Sequence, residues 1–140
     1  EVINIVKIPI QVSRNTVNDF LNDLKSILNS NQFDVNRDFL LIRNRTPHGI
    51  HGYSTPQTLL DLDYAVEDVV ERLKELSIKE YYEVLLDKDD DHPPYLYVFA
   101  KEIDNHQVYI KLKIKQMRTK KIVCVSFHFA QYEMKDFPYK

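Results

Sequence analysis

With 140 residues, 44% of them apolar, the chain is long enough to bury one hydrophobic core without disulfides or metals. Its single cysteine, Cys124, excludes an internal disulfide and is typical of a reducing compartment, so we expect a cytoplasmic protein. No stretch has the length and apolarity of a membrane span. The net charge of −2 hides an asymmetry: residues 60–91 carry twelve acidic and four basic side chains, whereas residues 99–121 carry seven basic and two acidic. This division predicts a charged working surface.

The N-terminal part predicts an edge strand and one amphipathic helix. Residues 2–10 favour a strand, and Pro9 confines that strand to a sheet edge or ends it. Ser13 is a suitable N-cap for a helix that ends at residues 29–31. Residues 39–43 fit a short strand or a helical turn equally well. Apolar side chains recur at helical spacing along the helix, at Val17, Phe20, Leu21, Leu24, Ile27 and Leu28.

Residues 43–56 show no periodicity and contain both glycines, which predicts a loop that is functional or mobile. His48 and His51 in this loop are three residues apart, so they could in principle bind a metal. No cluster of cysteine or further histidine accompanies them. We therefore expect neither a metal site nor a cofactor.

The middle of the chain predicts two more helices. Residues 64–76 show a buried apolar stripe and an acidic wet face, with Asp63 as the expected N-cap. Ser77 and Glu80 have the spacing of a capping box. We therefore expect a short helix to begin there and to include the tyrosines at 81 and 82.

The last third predicts three consecutive strands, at residues 95–103, 106–116 and 121–130. Along the middle strand, Val108, Ile110, Leu112 and Ile114 alternate strictly with Tyr109, Lys111, Lys113 and Lys115. Successive side chains of a strand point to opposite faces, so one face is core and the other is a row of one tyrosine and three lysines. Neighbouring lysines repel one another. The row therefore favours a partner rich in negative charge, above all phosphate.

The register of the first hairpin decides which side chains share this face. A three-residue loop at 104–106 would pair Lys101 with Tyr109, and it separates apolar from polar side chains better, so we expect this register. It would place beside the lysine row Tyr95, Tyr97, Phe99 and Lys101. A two-residue loop would instead place there Val98, Ala100 and Glu102.

On the third strand, we expect the apolar set to face the core, so that His128 projects to the side of Tyr109 and Lys111. That set consists of Val123, Val125, Phe127 and Phe129. Aromatic rings that stack on bases and lysines that hold phosphates are the usual parts of a surface that binds single-stranded nucleic acid. Alternatively, helices cover this face and its aromatic residues belong to the core, although lysines are rarely buried unpaired.

Over residues 59–140, the chain resembles toxins related to the motility quorum-sensing regulator, MqsR. The matching segments are SIKEYYEVL, YVFAKEID, VYIKLKI and VCVSFHFAQYEMKDFPYK. The length predicts a single domain over 1–140, and the resemblance implies an α+β fold in which an antiparallel sheet carries helices on one face, as in RelE-like endoribonucleases. Residues 1–58 would form an N-terminal portion with a helix and a loop. The implied protein is a cytoplasmic type II toxin that cleaves mRNA without a metal and has a cognate antitoxin as partner. The resemblance does not decide whether cleavage also needs the ribosome.

In the chemistry of that family, the 2′-hydroxyl of RNA attacks the adjacent phosphate and leaves a cyclic phosphate and a free 5′-hydroxyl. Such a reaction needs a base, an acid and positive charge at the phosphate. The resemblance implies His128 as acid or base, Lys111 with Lys101 on the phosphate, and Tyr109 as a proton-transfer or hydrogen-bonding partner. Further residues expected to contact RNA are Lys113, Lys115, Tyr97, Phe99, Tyr82 and Glu83.

One departure from the family leaves the role of a site residue open. Glu83 stands where relatives often carry lysine after the tyrosine pair, so it is either a base or a lost phosphate contact.

Two other functions fit the residues. One is a non-catalytic module that binds RNA or a protein, in which the acidic segment 60–91 docks a basic partner. The other is a structural interaction domain with no nucleic-acid role.

Overall fold

The computed structural model describes residues 9–43, 52–86 and 94–140. The predicted strand residues before Pro9, as well as His48 and His51, lie outside these ranges. Within them the protein is α+β, and no described helix is long and apolar enough to cross a membrane. In chain order the elements are β1 (Pro9–Ile10), α1 (Arg14–Leu28), α2 (Val35–Asp38), β2 (Phe39–Leu41), α3 (Thr55–Leu62), α4 (Val66–Lys74), a 3-10 turn (Ile78–Glu80), β3 (Tyr81–Leu85), β4 (Leu96–Ile103), β5 (His106–Lys115) and β6 (Lys121–Phe129).

The strands of the described residues form one six-stranded sheet in the order β1-β3-β4-β5-β6-β2. Neighbouring strands are antiparallel except β2 and β6, which run parallel, with Phe39 opposite Ile122. The fully antiparallel sheet that we expected is therefore a mixed one. Apolar side chains of α1, α3 and α4 join one face of β5 in the main core. Pro9 lies on an edge strand, as predicted.

Helix α1 agrees with the sequence prediction at both ends. The Ser13 side chain accepts a hydrogen bond from the backbone N–H of Thr16 and so satisfies one of the free donors of the first turn. Along the helix, Val17, Leu24 and Leu28 are buried against the sheet. Each such side chain contributes about 1.5–3 kcal/mol by leaving water. The segment at 39–43, which fitted either structure, contains strand β2.

The region between residues 54 and 68 differs from the prediction, because it contains two helices rather than one. Helix α3 begins after Ser54, whose side chain accepts from the N–H of Gln57, and it carries Pro56 in its first turn. Proline is tolerated there because its missing N–H would have no partner in the helix. Asp63 ends α3 in a left-handed conformation (φ 58°) instead of starting α4. The cap of α4 comes from Asp68, which accepts from the N–H of Ala65 at 2.8 Å.

The predicted capping box is present, since the Glu80 carboxylate accepts from the N–H of Ser77 at 3.0 Å. It starts only a 3-10 turn, however, and the expected helix over Tyr81 and Tyr82 is wrong. Both tyrosines belong to β3, which pairs with β4. Tyr81 is fully buried and meets the ring edge of Phe99. Packing of aromatic side chains across a sheet outweighs the weak local preference for a helix.

The three C-terminal strands are confirmed, but the expected hairpin register is wrong. The loop has two residues, Asp104 and Asn105, both with positive φ (51° and 64°). This is the backbone pattern of the type I′ turn, whose twist matches that of the two strands. Ala100 therefore pairs with Tyr109. Three side chains consequently lie on the opposite face from Tyr109, namely Tyr97, Phe99 and Lys101.

A bulge interrupts β6 and corrects a second expectation. Lys111 pairs with Ser126 but Leu112 pairs with Cys124, so Val125 has no partner residue in β5. The alternation is thereby reversed: Phe127 lies in the main core beyond the bulge, and Cys124 lies there before it. The expectation that Val123 and Val125 face the main core is therefore wrong, whereas His128 lies on the predicted side of the sheet.

Candidate active site on the distal face

We call the sheet face that points away from the main core the distal face; it carries Tyr109, Lys111 and Lys113. The predicted alternation along β5 is confirmed, because the intervening apolar residues all belong to the main core. The expected exposed lysine row is not found, since Lys111 and Lys113 are each only 7% exposed. Both lysines have interaction partners within the protein. A buried ammonium group needs such compensation.

Three side chains of the distal face lie together. Tyr109 and His128 are paired across β5 and β6, and their rings stack with centroids 5.2 Å apart and planes 16° apart. The Nζ atom of Lys111 lies 5.9 Å from the centroid of the Tyr109 ring, within the range of a cation–π contact. Short strand-to-strand distances on one face therefore bring an imidazole, a phenol and an ammonium group together.

The imidazole of His128 is held in one tautomer. Its Nδ1 atom lies 2.9 Å from the carbonyl oxygen of Phe129. A carbonyl only accepts hydrogen bonds, so Nδ1 carries the hydrogen and Nε2 of the neutral ring keeps its lone pair. Burial lowers the pKa of His128 below its ordinary 6.5; the positive charge of Lys111 acts the same way, and the hydrogen bond to Phe129 acts against both. At neutral pH the ring is therefore a proton acceptor.

The phenol of Tyr109 is held protonated. Burial raises its pKa to about 12, and the nearby Glu83 and Tyr82 add to this effect. Burial also raises the pKa of the Glu83 carboxyl group above its ordinary 4.5. Val98 of β4 pairs with Glu83 of β3 on one side and with Lys111 of β5 on the other, so Glu83 and Lys111 lie in one row across the sheet. The distal face thus combines a proton acceptor, a protonated phenol, a carboxyl group and an ammonium group.

A second, smaller apolar cluster surrounds these polar groups. Its buried members are Leu85, Leu96 and Val98, with Tyr82, Tyr109, Val125 and Met134 packed against them. The cluster follows from the two-residue turn, which turns the even-numbered residues of β4 to this side. Together with the strands, it leaves the ring pair, Tyr109 and His128, half-buried. This partial burial is the largest cause of the pKa shifts of both residues.

The C-terminal segment, residues 131–140, crosses from one face of the sheet to the other: Met134 and Phe137 contact the distal face, whereas Tyr139 packs against the main core. The Gln107 side-chain amide donates to the carbonyl of Met134 (3.0 Å) and accepts from its N–H (2.8 Å), as a neighbouring strand would. Phe137 meets the edge of the Tyr82 ring at 5.6 Å. Tyr139 stacks on Tyr81, and its hydroxyl donates to a backbone carbonyl. This segment has no periodic pattern, so the sequence did not predict its position.

A cleft of about 590 Å³ lies between the C-terminal segment and the sheet. Ala100, the cross-strand neighbour of Tyr109, forms part of its wall, and the Phe137 ring forms another part. Three exposed lysines line it as well, Lys79, Lys135 and Lys140, together with acidic side chains. The cleft is thus a recess of mixed polar and aromatic character that extends to Ala100, the neighbour of Tyr109 in the sheet, while the rings of Tyr109 and His128 are not part of its lining.

Several predicted site residues lie elsewhere. Lys101 is on the helix side, where its Nζ atom is 3.3 Å from Glu80 and 3.6 Å from Glu75, so it belongs to a structural ion pair. Tyr97 stacks on Phe20 of α1 at 3.9 Å, and Phe99 is fully buried beside them. The alternative that the aromatic residues of β4 belong to the core beneath the helices is thus correct for Tyr97 and Phe99. Lys115, at the end of β5, lies opposite Lys121 and away from the ring pair.

Two residues next to the site were not predicted. Thr55 and Thr58 of α3 accept hydrogen bonds from the backbone N–H groups of Phe127 (3.1 Å) and Phe129 (2.9 Å), on either side of His128. Threonines three residues apart share one helix face. That spacing was the available sequence signal, but α3 itself was not predicted.

In the described ranges no group of three or more histidine, cysteine, aspartate or glutamate side chains is arranged to bind a metal ion. Comparison of the chain with models of protein families, with curated proteins and with solved structures gives no match. The resemblance to MqsR-related toxins therefore stays a prediction. The function must be inferred from the distal face itself.

Proposed function

We propose that the protein is a metal-independent endoribonuclease of the toxin type, and that the distal face cleaves single-stranded RNA. The observation that carries this proposal is the triple of His128, Tyr109 and Lys111: a neutral imidazole of fixed tautomer stacks on a protonated phenol, with an ammonium group beside the pair. These are the three kinds of group that attack by a 2′-hydroxyl requires. The α+β architecture is compatible with the RelE-like fold that the resemblance implies.

The proposed roles follow from the protonation states. Nε2 of His128 accepts the proton of the 2′-hydroxyl, because the lowered pKa keeps this atom unprotonated at neutral pH. The ammonium group of Lys111 stabilises the negative charge that develops on the phosphate; a phosphate adds to its present partners or replaces them. Tyr109 donates its proton to the leaving 5′-oxygen, since an alkoxide is a stronger base than a phenolate, even one whose pKa is about 12. Lys101 has no part in this mechanism.

The cleft beside Ala100 is the proposed entry for the RNA. Its three exposed lysines attract phosphates against the repulsion of four acidic side chains in the same lining, and the Phe137 ring, which contacts Tyr82, provides a surface on which a base stacks. A single strand with unstacked bases can use such a recess, whereas a duplex keeps its bases inside. The corresponding cellular substrate would be mRNA, and a cognate antitoxin in the cytoplasm would block the same face.

To test this function, a single-stranded RNA is incubated in EDTA with the wild type, His128→Gln and the control His106→Gln, with and without ribosomes. His106 is an exposed histidine of the hairpin turn. We expect cleavage by the wild type and the control, products with a cyclic phosphate end, and a rate about 10²–10⁴ lower for His128→Gln. A substrate that lacks the 2′-hydroxyl at the cleavage site should stay intact. Equal absence of cleavage by wild type and His128→Gln under all conditions would exclude the enzyme.

Lys111 and Lys113 are each only 7% exposed, which leaves little of either side chain open to a reacting phosphate. This counts against the chemistry and favours a second candidate, a module that binds RNA or a protein without cleavage. It predicts RNA binding that weakens steeply as salt rises, without any cleavage. His128→Gln would then bind as tightly as the wild type, because no proton is transferred. The same RNA, assayed for binding and for cleavage, separates the two functions.

A further inference from the structure

The outer edge of β6 changes partner halfway along the strand. β2 pairs with β6 only over Ile122–Cys124, before the bulge. Beyond the bulge, among the described residues, α3 takes the place of a strand: the hydroxyl of Thr55 accepts from the N–H of Phe127, and that of Thr58 accepts from the N–H of Phe129. Both threonines are buried, and Thr58 is 0% exposed.

His128 lies between these two anchored N–H groups, and the second of them bears on its tautomer. Phe129 supplies the carbonyl that accepts from Nδ1 of His128. Its own N–H is held by Thr58, and the next residue, Ala130, donates its N–H to the Gln107 carbonyl of β5 at 2.8 Å. The backbone of Phe129 is thus fixed from both sides, by the helix and by the sheet.

We propose that Thr58, assisted by Thr55, is a positioning residue that holds His128 in the tautomer with the hydrogen on Nδ1. The hydroxyl of Thr58 fixes the Phe129 backbone, the Phe129 carbonyl fixes Nδ1, and Nε2 is left with its lone pair towards the distal face. Loss of a group that orients a metal-binding imidazole through its second nitrogen typically costs about 10–100-fold, and we take this as the upper range for Thr58, which acts through the Phe129 backbone. The effect on RNA cleavage rests on the proposed function, but the effect on the tautomer does not.

The test compares Thr58→Val, which keeps the side-chain shape but loses the acceptor, with Thr58→Ser, which keeps the hydroxyl. Nitrogen NMR of the labelled full chain reports the tautomer and the titration of His128. We expect the wild type and Thr58→Ser to show the hydrogen on Nδ1, and Thr58→Val to show a mixture with the other tautomer. For cleavage, kcat of Thr58→Val should fall about 10–100-fold with KM nearly unchanged, and Thr58→Ser should restore it.

A folded Thr58→Val protein whose His128 has the same tautomer and titration as the wild type would overturn the proposal. If Thr58→Val does not fold, amide exchange of the wild type decides. The N–H hydrogens of Phe127 and Phe129 must then exchange with solvent as slowly as those of paired strands. Exchange as fast as at an open sheet edge would refute the two threonine hydrogen bonds and the proposal with them. A shifted tautomer in a protein that cuts no RNA would refute the proposed function while leaving the positioning role intact.

Discussion

The ring of His128 lies against the ring of Tyr109, with 5.2 Å between their centroids. Burial acts on both partners in the same sense, because it disfavours the charged form of each. The imidazole stays neutral and the phenol stays protonated, while the neighbouring Lys111 contributes the positive charge. This division of proton acceptor, proton donor and charge among three side chains leads to the first two predictions.

The pH dependence of cleavage should follow the neutral form of His128. A base is active when it is unprotonated, so the rate is lost as pH falls through the pKa of His128 in the folded protein. Because burial lowers that pKa below 6.5, kcat/KM should be level through neutral pH and should fall only on the acid side of 6.5. The measurement is the pH–rate profile, with His106→Gln as control. An acid limb centred above 6.5 would contradict the assignment of His128 as the base.

Removal of positive charge should lower the cleavage rate at one lysine of the hairpin and the stability of the fold at another. Lys111→Met should lower the cleavage rate by about 10²–10³, as expected when one group that stabilises transition-state charge is lost. Lys101→Met should leave cleavage within a few-fold of the wild type but lower the free energy of unfolding by about 1 kcal/mol, because Glu75 and Glu80 each lose one of their partners. Rate assays and urea unfolding of both variants provide the measurement. A rate loss confined to Lys101→Met would instead favour the three-residue loop, which pairs Lys101 with Tyr109.

The sequence predicted the parts of the fold that depend on local patterns. Alternation along β5 places Tyr109 and Lys111 on one face without any knowledge of the neighbouring strands, and helical spacing after Ser13 does the same for α1. His128 was correctly placed beside Tyr109, although the bulge at Val125 was not foreseen. The bulge falls before His128 in the chain, so Phe127, His128 and Phe129 keep the predicted sides of the sheet.

The parts that were wrong depend on choices between nearly equal alternatives. Two loop lengths fitted the hairpin, and the choice was made by the left-handed conformations of Asp104 and Asn105, which a polarity pattern does not reveal. The predicted loop extended to residue 56, but Pro56 lies in the first turn of α3, a position that suits proline. The C-terminal segment is held by single contacts such as those of Gln107 with Met134, which have no period to detect.

Substitutions at the hairpin turn test the observed register. Asn105 has φ 64°, a conformation that glycine adopts freely and that a β-branched residue adopts only at a cost of about 1–2 kcal/mol. We expect Asn105→Gly to be neutral or slightly stabilising and Asn105→Val to lower the free energy of unfolding by that amount. Urea unfolding of both variants is the measurement. Equal stability of the two would argue against a type I′ turn at this position.

Stability at alkaline pH should report the burial of Tyr109. Its pKa is about 12 in the folded protein and 10.0 in an ordinary setting, so between these values the unfolded chain has lost the proton that the folded chain keeps. The unfolded state then binds fewer protons, and the free energy of unfolding falls as pH rises above 10, by about 1.4 kcal/mol per pH unit for this group. Tyr81, whose pKa burial also raises to about 12, contributes in the same sense.

Tyr109→Phe should therefore flatten the alkaline decline of stability by about 1.4 kcal/mol per pH unit between pH 10 and 12. Tyr132→Phe is the matched control, because the Tyr132 side chain is 77% exposed and is hydrated in the folded and the unfolded chain alike. Urea unfolding at a series of pH values measures both slopes. If Tyr109→Phe and Tyr132→Phe decline in parallel with the wild type, the Tyr109 phenol is open to water, and the burial of Tyr109 on which its proposed proton transfer depends does not exist in solution.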